Sequence, residues 1–181
     1  MITERLILSV MGLHAGEGIE RIFERKIRDI LICGKTLWLV RSPFVKPERA
    51  QAFLNDSSSV LFLAPASSNG SRPTTDSCCA KEMSSDGKRW EKLPDGISPV
   101  TGRLPAYALV LTELSICKAS WLIDLWMFSD PGDVPVRFKL GMSTALAKTK
   151  DVSLDSRRMK SRFRQVLARG VIKDPYVVFV R

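Results

Sequence analysis

Basic residues that could hold phosphate are concentrated near the end of the sequence, in the stretch SLDSRRMKSRFRQVLARG. Paired guanidinium groups bind phosphate oxygens through several hydrogen bonds at once, so Arg157 and Arg158 are candidate phosphate ligands. Candidates for contact with a nucleic-acid backbone follow in the same stretch: Lys160, Arg162, Arg164 and Arg169. The alternative is a solvated helix face in which Asp151 and Asp155 neutralise the first two arginines locally.

Carboxylates that could coordinate Mg²⁺ lie in the segments WLIDLW and SDPGD. The candidate ligands are Asp124, Asp130 and Asp133, because hard oxygen ligands suit this cation and support metal-assisted phosphoryl chemistry. The alternative is that DPGD only forms a turn and that Asp124 faces solvent from a strand. The sequence contains no P-loop, GxGxxG or GxSxG pattern, and its single histidine, His14, lies in the predicted turn GLHAGEG. Any hydrolysis of a nucleotide therefore needs another kind of site.

Charge is distributed unevenly along the sequence. Residues 137–181 contain 12 Lys and Arg against three Asp and Glu, whereas residues 1–136 contain 16 of each. The formal net charge of +9 therefore resides in the last quarter of the sequence. A clustered basic surface attracts polyanions and gains free energy when their counterions are released, which predicts DNA as a partner.

Cysteine usage and the first residues bear on the cellular compartment. The four cysteines lack CxxC spacing and two of them, Cys78 and Cys79, are adjacent. This pattern favours neither a zinc site nor the disulfide framework of a secreted protein. The sequence begins without a basic leader, and no run approaches the roughly 18 apolar residues of a membrane span. We expect a cytoplasmic protein, with peripheral association at the inner membrane as an alternative.

Hydrophobic periodicity predicts the elements that position these groups. Strands are predicted at Leu6–Val10, TLWLV, SVLFLAP, AYALVLTELSI, WLIDLWMFSD, VPVRFKLG and DPYVVFV. Helices are predicted from Ile19 to a stop at Gly34, over Pro47–Leu54, from within Ser143–Thr149, and from a cap at Ser153 or Asp155 to Gly170. The last helix has an apolar stripe of Met159, Phe163, Val166 and Leu167.

Composition between these elements sets the expected architecture. Residues 66–100 are rich in Ser, Gly, Pro, Asp and Lys, which predicts a long irregular loop that is either functional or mobile. With 181 residues the chain is long enough for one domain with a real core. We predict a single mixed α/β domain over residues 1–181, of the α+β class.

The closing stretch RFRQVLARGVIKDPYVVFVR resembles the helix, glycine, proline and strand unit that ends the ParB/sulfiredoxin core. The earlier VPVRFKLGMS resembles the strand and glycine corner that precede that unit. The family usually continues with Gly-x-His-Arg or Gly-x-Arg-Arg, whereas Gly141 is followed here by Met, Ser and Thr; SDGKRW, with Gly87 and Arg89, is a second echo of the motif. The resemblance implies a ParB/sulfiredoxin-like fold. Its phosphate-binding residues would be Gly141, Ser143, Thr144, Arg157 and Arg158.

Within that superfamily, the length and the early GKTLWLV strand are similar to plasmid fertility-inhibition factors of the oncogenic-suppression type. This resemblance implies a bacterial plasmid-encoded inhibitor of conjugative or T-DNA transfer. ATP and Mg²⁺ would be its cofactors, with metal-dependent DNase and ATPase activity, and a component of a type IV secretion or conjugation machinery would be a further partner. Two other functions fit the residues: a noncatalytic PUA-like nucleic-acid-binding module, and an inhibitor that acts only by protein–protein contact.

Overall fold

The computed structural model describes residues 5–11, 17–40, 45–54, 59–63, 78–117, 122–127, 134–135, 144–149 and 163–181. These residues form two helices and twelve strands, so the fold is mixed α+β and consists mostly of strands. The chain divides into two compact units. The first contains Met1–Met11, Ser42–Ala66 and Ser115–Arg169, and the second contains Gly12–Arg41, Ser67–Leu114 and Gly170–Arg181.

The elements have the following bounds. The helices are α1 (Ile19–Cys33) and α2 (Pro47–Leu54). The strands are β1 (Arg5–Val10), β2 (Thr36–Val40), β3 (Ser59–Leu63), β4 (Cys78–Cys79), β5 (Glu82–Ser84), β6 (Glu91–Lys92), β7 (Thr101–Gly102), β8 (Ala106–Ile116), β9 (Leu122–Met127), β10 (Val134–Pro135), β11 (Thr144–Thr149) and β12 (Phe163–Val180). Within the described residues, neither helix is long and apolar enough to cross a membrane.

Both helices lie where the sequence predicts them. Helix α1 ends at Gly34, whose backbone adopts the left-handed conformation with φ 70 that glycine accepts without steric cost. The N–H of Gly34 donates to the carbonyl of Ile30 at 2.8 Å and closes the last turn. Helix α2 starts with Pro47, a position where the missing N–H costs nothing. These two predictions are confirmed.

The first unit is built on neighbouring strands in the order β10-β9-β11-β1-β3. Strand β1 pairs in parallel with β3 and antiparallel with β11. Four consecutive residues of β1, from Leu6 to Ser9, are buried, so both faces of this strand are covered. A central strand of this kind reads as a continuous apolar run instead of an alternating one, which is why LILSV predicts it well.

The second unit has its own core. Strand β2 pairs antiparallel with β8 from Thr36↔Leu111 to Val40↔Tyr107, and β5 forms a hairpin with β6. The end of β12 pairs with β5 through Phe179↔Ser84, while β4 and β7 form a separate two-stranded sheet. The buried residues of the core are Leu37, Ala80, Val100, Ala108, Val110, Val178 and Val180.

The basic helix predicted to end at Gly170 is wrong over residues 163–170, because one strand, β12, runs from Phe163 to Val180. Burial alternates along it: Val166, Ala168, Gly170 and Ile172 are buried, whereas Leu167, Arg169 and Val171 are half-buried. Alternation of period two is the pattern of a strand. A short apolar stretch fits both the helical period and the strand period. Here β-branched residues and pairing with neighbouring strands favour the strand. The unit that carries the ParB/sulfiredoxin resemblance therefore lacks its helix over these residues, and that fold remains a prediction.

Two further predictions are corrected. The helix expected to start within Ser143–Thr149 is wrong over the described residues, because Thr144–Thr149 is strand β11, held between β1 and β9. Its alanines favour a helix intrinsically, but pairing on both sides overrides that preference. The irregular loop predicted at residues 66–100 contains the short strands β4, β5 and β6. Residues 64–77 and most of VPVRFKLG lie outside the described residues.

Candidate functional site

A buried polar cluster joins α1 to β2 and to the loop that precedes β7. Asp29, 1% exposed, accepts a hydrogen bond from the Thr36 hydroxyl at 2.6 Å and from the Ser98 backbone N–H at 3.0 Å. The Ser98 hydroxyl donates to the same carboxylate. A buried carboxylate is tolerated only when it is hydrogen-bonded and paired with a cation, and these donors meet the first condition.

The cation of this cluster is Lys26, one turn earlier on α1 and 6% exposed. Its Nζ donates to the carbonyl of Leu37 at 2.8 Å and lies 3.8 Å from the Asp29 Oδ2 atom. Burial lowers the pKa of Lys26 to about 8, although the charge of Asp29 opposes that shift. Because both charged groups are buried, they are out of reach of a ligand. The cluster instead fixes the position of the loop that contains Ser98.

That loop forms one wall of a groove of about 900 Å³ in the second unit. Gly96 lets the loop approach the end of α1, since a Cβ atom there would lie 2.7 Å from the Ile32 Cγ2 atom. The rim of the groove carries three cationic side chains, Lys81, Lys92 and Arg181. Its apolar lining includes Ala80, Leu93, Pro94, Ile97, Pro99 and Leu104. The side chain of Lys92 pairs with Asp95 at 2.5 Å, so part of this charge is neutralised locally.

The turn between β5 and β6 is organised by one carboxylate. Asp86 Oδ1 accepts hydrogen bonds from the backbone N–H groups of Arg89 and Lys88, each at 2.8 Å, and from the Ser84 hydroxyl at 2.9 Å. These hydrogen bonds lower the pKa of Asp86 to about 2, and the bond from the Arg89 backbone N–H has the largest effect. Gly87 takes the left-handed φ of 70 that the turn requires. The backbone is thus held while the side chains of Lys88 and Arg89 are exposed.

Arg181 lies beside this turn. Its guanidinium lies 4.1 Å from the centre of the Trp90 ring, and its Nε donates to the Glu82 Oε2 atom at 2.7 Å. The backbone of Arg181 also exchanges hydrogen bonds with Glu82, which anchors the residue to the hairpin. We name the set Lys88, Arg89, Trp90, Lys92 and Arg181 the basic hairpin. It combines cations with an aromatic ring on the β5–β6 hairpin and on the residue that follows β12.

Most of the residues predicted as ligands lie outside the described residues. These are Gly141, Ser143, Arg157, Arg158, Lys160, Arg162, Asp130 and Asp133. Thr144 is 5% exposed at the start of β11, so its hydroxyl has little access to a bound phosphate. Asp124 pairs with Phe163, and Arg164 pairs with Ile123, which places Asp124 and Arg164 at adjacent register positions of β9 and β12. Arg169 is half-buried on β12.

The structure assembles groups that sequence reasoning did not connect. The segment SDGKRW gave one signal, an Asp-Gly turn followed by two cations, but nothing in the sequence pairs Trp90 with Arg181 across 91 positions (181 − 90). Among the described residues, no group of three or more His, Cys, Asp or Glu side chains could hold a metal ion. Comparisons of the chain with protein-family models, curated proteins and solved structures found no match.

Proposed function

We propose that this protein binds nucleic acid through its phosphate backbone, with the basic hairpin as a contact surface. The observation that carries the proposal is the held turn at Asp86. Because the carboxylate already binds the N–H groups of Lys88 and Arg89, the turn is ordered before any partner arrives. Two exposed cations on an ordered backbone lose less conformational entropy on binding than cations on a loose loop.

Trp90 and Arg181 add a feature that a purely electrostatic surface lacks. An indole ring covered by a guanidinium group presents planar surfaces against which unstacked bases can pack. The excess of positive charge in residues 137–181 supports the same partner, since it attracts phosphates at long range. Single-stranded nucleic acid is therefore the form that we expect to bind most tightly.

The resemblance to fertility-inhibition factors extends this proposal to enzymatic activity. In that form, the protein binds ATP and Mg²⁺, cleaves DNA and inhibits conjugative or T-DNA transfer. What supports it is the sequence around Gly141 to Arg164. The experiments must distinguish this enzymatic form from two alternatives. One is a noncatalytic binding module, and the other is an inhibitor that acts only through protein contact.

The binding test compares two variants that remove the same charges. Lys88→Ala/Arg89→Ala removes the exposed cations of the turn, and Lys46→Ala/Arg49→Ala removes one exposed Lys and one exposed Arg at the start of α2. Fluorescence anisotropy with labelled single-stranded DNA is measured over a range of salt concentrations. If both turn cations contact phosphates, the slope of log K against log salt falls by about 1.5 for the turn variant, and it stays unchanged for the control. Equal slopes in the two variants would contradict the proposal.

The enzymatic form is tested separately on supercoiled plasmid with ATP, in the presence of Mg²⁺ or EDTA. Nicking or ATP loss that requires Mg²⁺ supports the enzyme. DNA binding without turnover leaves the binding module. Capture of a conjugation-machinery protein with no affinity for DNA would instead support the protein-contact inhibitor and refute nucleic-acid binding.

A further inference from the structure

The groove of the second unit has walls that are held by the protein itself. The backbone N–H of Lys81 donates to the carbonyl of Arg181 at 2.8 Å, and its carbonyl accepts from the N–H of Leu93 at 3.0 Å. A further wall is the loop that the buried Asp29 holds through Ser98. A preformed groove needs little ordering when a ligand binds, so more of the contact free energy appears as affinity.

The apolar lining of the groove opens onto the core of this unit. Leu93, Ile97 and Leu104 pack against the buried core and are themselves half-buried. They leave hydrocarbon surface in contact with solvent, and covering such surface contributes roughly 25 cal/mol per Å². A ligand that uses this lining must therefore have an apolar body.

Charges around the groove are paired except at one position. Lys92 pairs with Asp95 at 2.5 Å, and Arg181 pairs with Glu82 at 2.7 Å. Lys81 lines the same groove and is exposed, and its side chain forms no ion pair within the described part of the chain. One cation on a held backbone, without a local counter-ion, is complementary to one anionic group. The groove therefore favours a ligand with a single negative charge.

A peptide fits these walls less well than a hydrocarbon chain does. An extended peptide binds along a groove by pairing its backbone with free N–H and carbonyl groups of the wall. Here the N–H groups of Ala80, Lys81 and Leu93 already donate to other backbone carbonyls. A hydrocarbon chain has no polar backbone group that would need such a partner.

We propose that this groove binds a fatty acid, which is a single hydrocarbon chain that ends in one carboxylate. The carboxylate pairs with Lys81, and the chain packs against Leu93, Ile97 and Leu104. The volume of the groove, about 900 Å³, is in the range of small-molecule sites. The site does not depend on the proposed nucleic-acid binding, so it is measured with no nucleic acid present.

The first test is calorimetric titration of the full chain with octanoate, decanoate and dodecanoate, each below the concentration at which it forms micelles. Because every buried methylene adds hydrophobic stabilisation, the affinity should rise about tenfold for each two methylenes added. Lys81→Ala should lower the affinity for decanoate about threefold and leave that for the neutral decanol unchanged. Lys46→Ala removes an exposed lysine outside the groove and is the matched control.

The second test locates the ligand through the thiols of the groove. Cys78 and Cys79 line the groove and are exposed, whereas Cys117 is not part of its lining. Neighbouring side chains of a strand point to opposite faces, so bound decanoate should protect at least one of the two thiols. We expect alkylation of that thiol by iodoacetamide to slow severalfold, while alkylation of Cys117 keeps its rate. Peptide mass spectrometry measures each site.

The third test places a charge in the apolar lining. Leu104→Asp should weaken the binding of decanoate at least about tenfold. Ile116→Asp is the matched control at an exposed apolar position outside the groove. Far-UV circular dichroism and the melting temperature check that both variants fold. If the Leu104 variant does not fold, the Lys81 variant decides, because it changes an exposed side chain.

Four results would overturn the proposal. One is the absence of binding for all three chain lengths. Another is an affinity that falls equally for decanoate and decanol in the Lys81 variant. The third is binding that leaves both Cys78 and Cys79 as reactive as before, since the ligand would then lie elsewhere. The last is protection of these thiols by a short peptide with an apolar C-terminal residue but not by decanoate, since a peptide would then be the occupant.

Discussion

Asp29 is a buried carboxylate of the second unit, and burying its charge has a cost in free energy. Its carboxylate is buried, yet it accepts bonds from Thr36 and from Ser98 and lies near Lys26. Burying a charge is costly, and the neighbouring cation and donors offset that cost. The residue therefore determines whether α1, β2 and the groove wall keep their relative positions.

We expect Asp29→Ala to lower the free energy of unfolding by about 3–5 kcal/mol, because it leaves a buried ammonium without its carboxylate. Thr36→Val removes one hydrogen bond of the same cluster and should cost only about 1 kcal/mol. Urea unfolding followed by tryptophan fluorescence measures both. A loss below about 1 kcal/mol for the Asp29 variant would show that the cluster does not hold the loop.

Asp86 makes a pH-dependent contribution to stability. Its folded pKa of about 2 lies below the ordinary value of 3.8, so the folded protein favours the charged form. The stabilisation is therefore fully present above 3.8 and is lost as the pH falls towards about 2. We expect the urea midpoint of the wild type to exceed that of Asp86→Asn at neutral pH and to converge with it in acid. A constant difference across this range would contradict the hydrogen bonds assigned to the carboxylate.

At the scale of elements, β12 shows how one segment can satisfy two periods. Phe163, Val166 and Leu167 fit a helical stripe, whereas Val166, Ala168, Gly170 and Ile172 fit the inward face of a strand. The helix and the strand differ in which of these two adjacent residues, Leu167 or Ala168, is buried. The helix places Leu167 in the core, and the strand places Ala168 there.

Substitution at these two neighbours distinguishes the structures. Ala168→Asp puts a charge at a fully buried position of β12 and should cost about 3 kcal/mol or more, or prevent folding. Leu167→Asp affects a half-buried position and should cost clearly less. Melting temperatures and soluble yield of the two variants provide the comparison. The reverse order of stability would favour the helix over the strand.

For the whole molecule, the dominant property is the accumulation of positive charge in residues 137–181. The Lys88→Ala/Arg89→Ala variant tests the basic hairpin as a contact surface. A variant of the arginines in residues 157–164 tests a second candidate surface. Arg157→Ala, Arg158→Ala, Arg162→Ala and Arg164→Ala together remove four of the nine net positive charges. If all four contact phosphates, the salt slope on single-stranded DNA falls by about 3. A slope equal to that of the wild type would mean that these arginines form a solvated surface and that the hairpin dominates binding.

The sequence by itself determined the local elements whose signals are strong and unambiguous. Ile19 to Gly34 combines apolar periodicity with a glycine stop, Pro47 opens α2, and the buried β1 reads as an apolar run. It also determined the charge imbalance, which depends on composition alone. These features were predictable because each follows from neighbours close in the chain.

Only the tertiary structure decided the rest, because the deciding contacts join residues far apart in sequence. Pairing with other strands made Phe163–Val180 a strand, although its first residues also fit a helix. The partnership of Asp29 with Ser98 spans 69 positions and set the rotation of α1, which in turn exposed Leu31. The contact between Trp90 and Arg181 likewise joins residues that are far apart in sequence. Local propensity is worth less than about 1 kcal/mol per residue, so burial and pairing of distant residues override it.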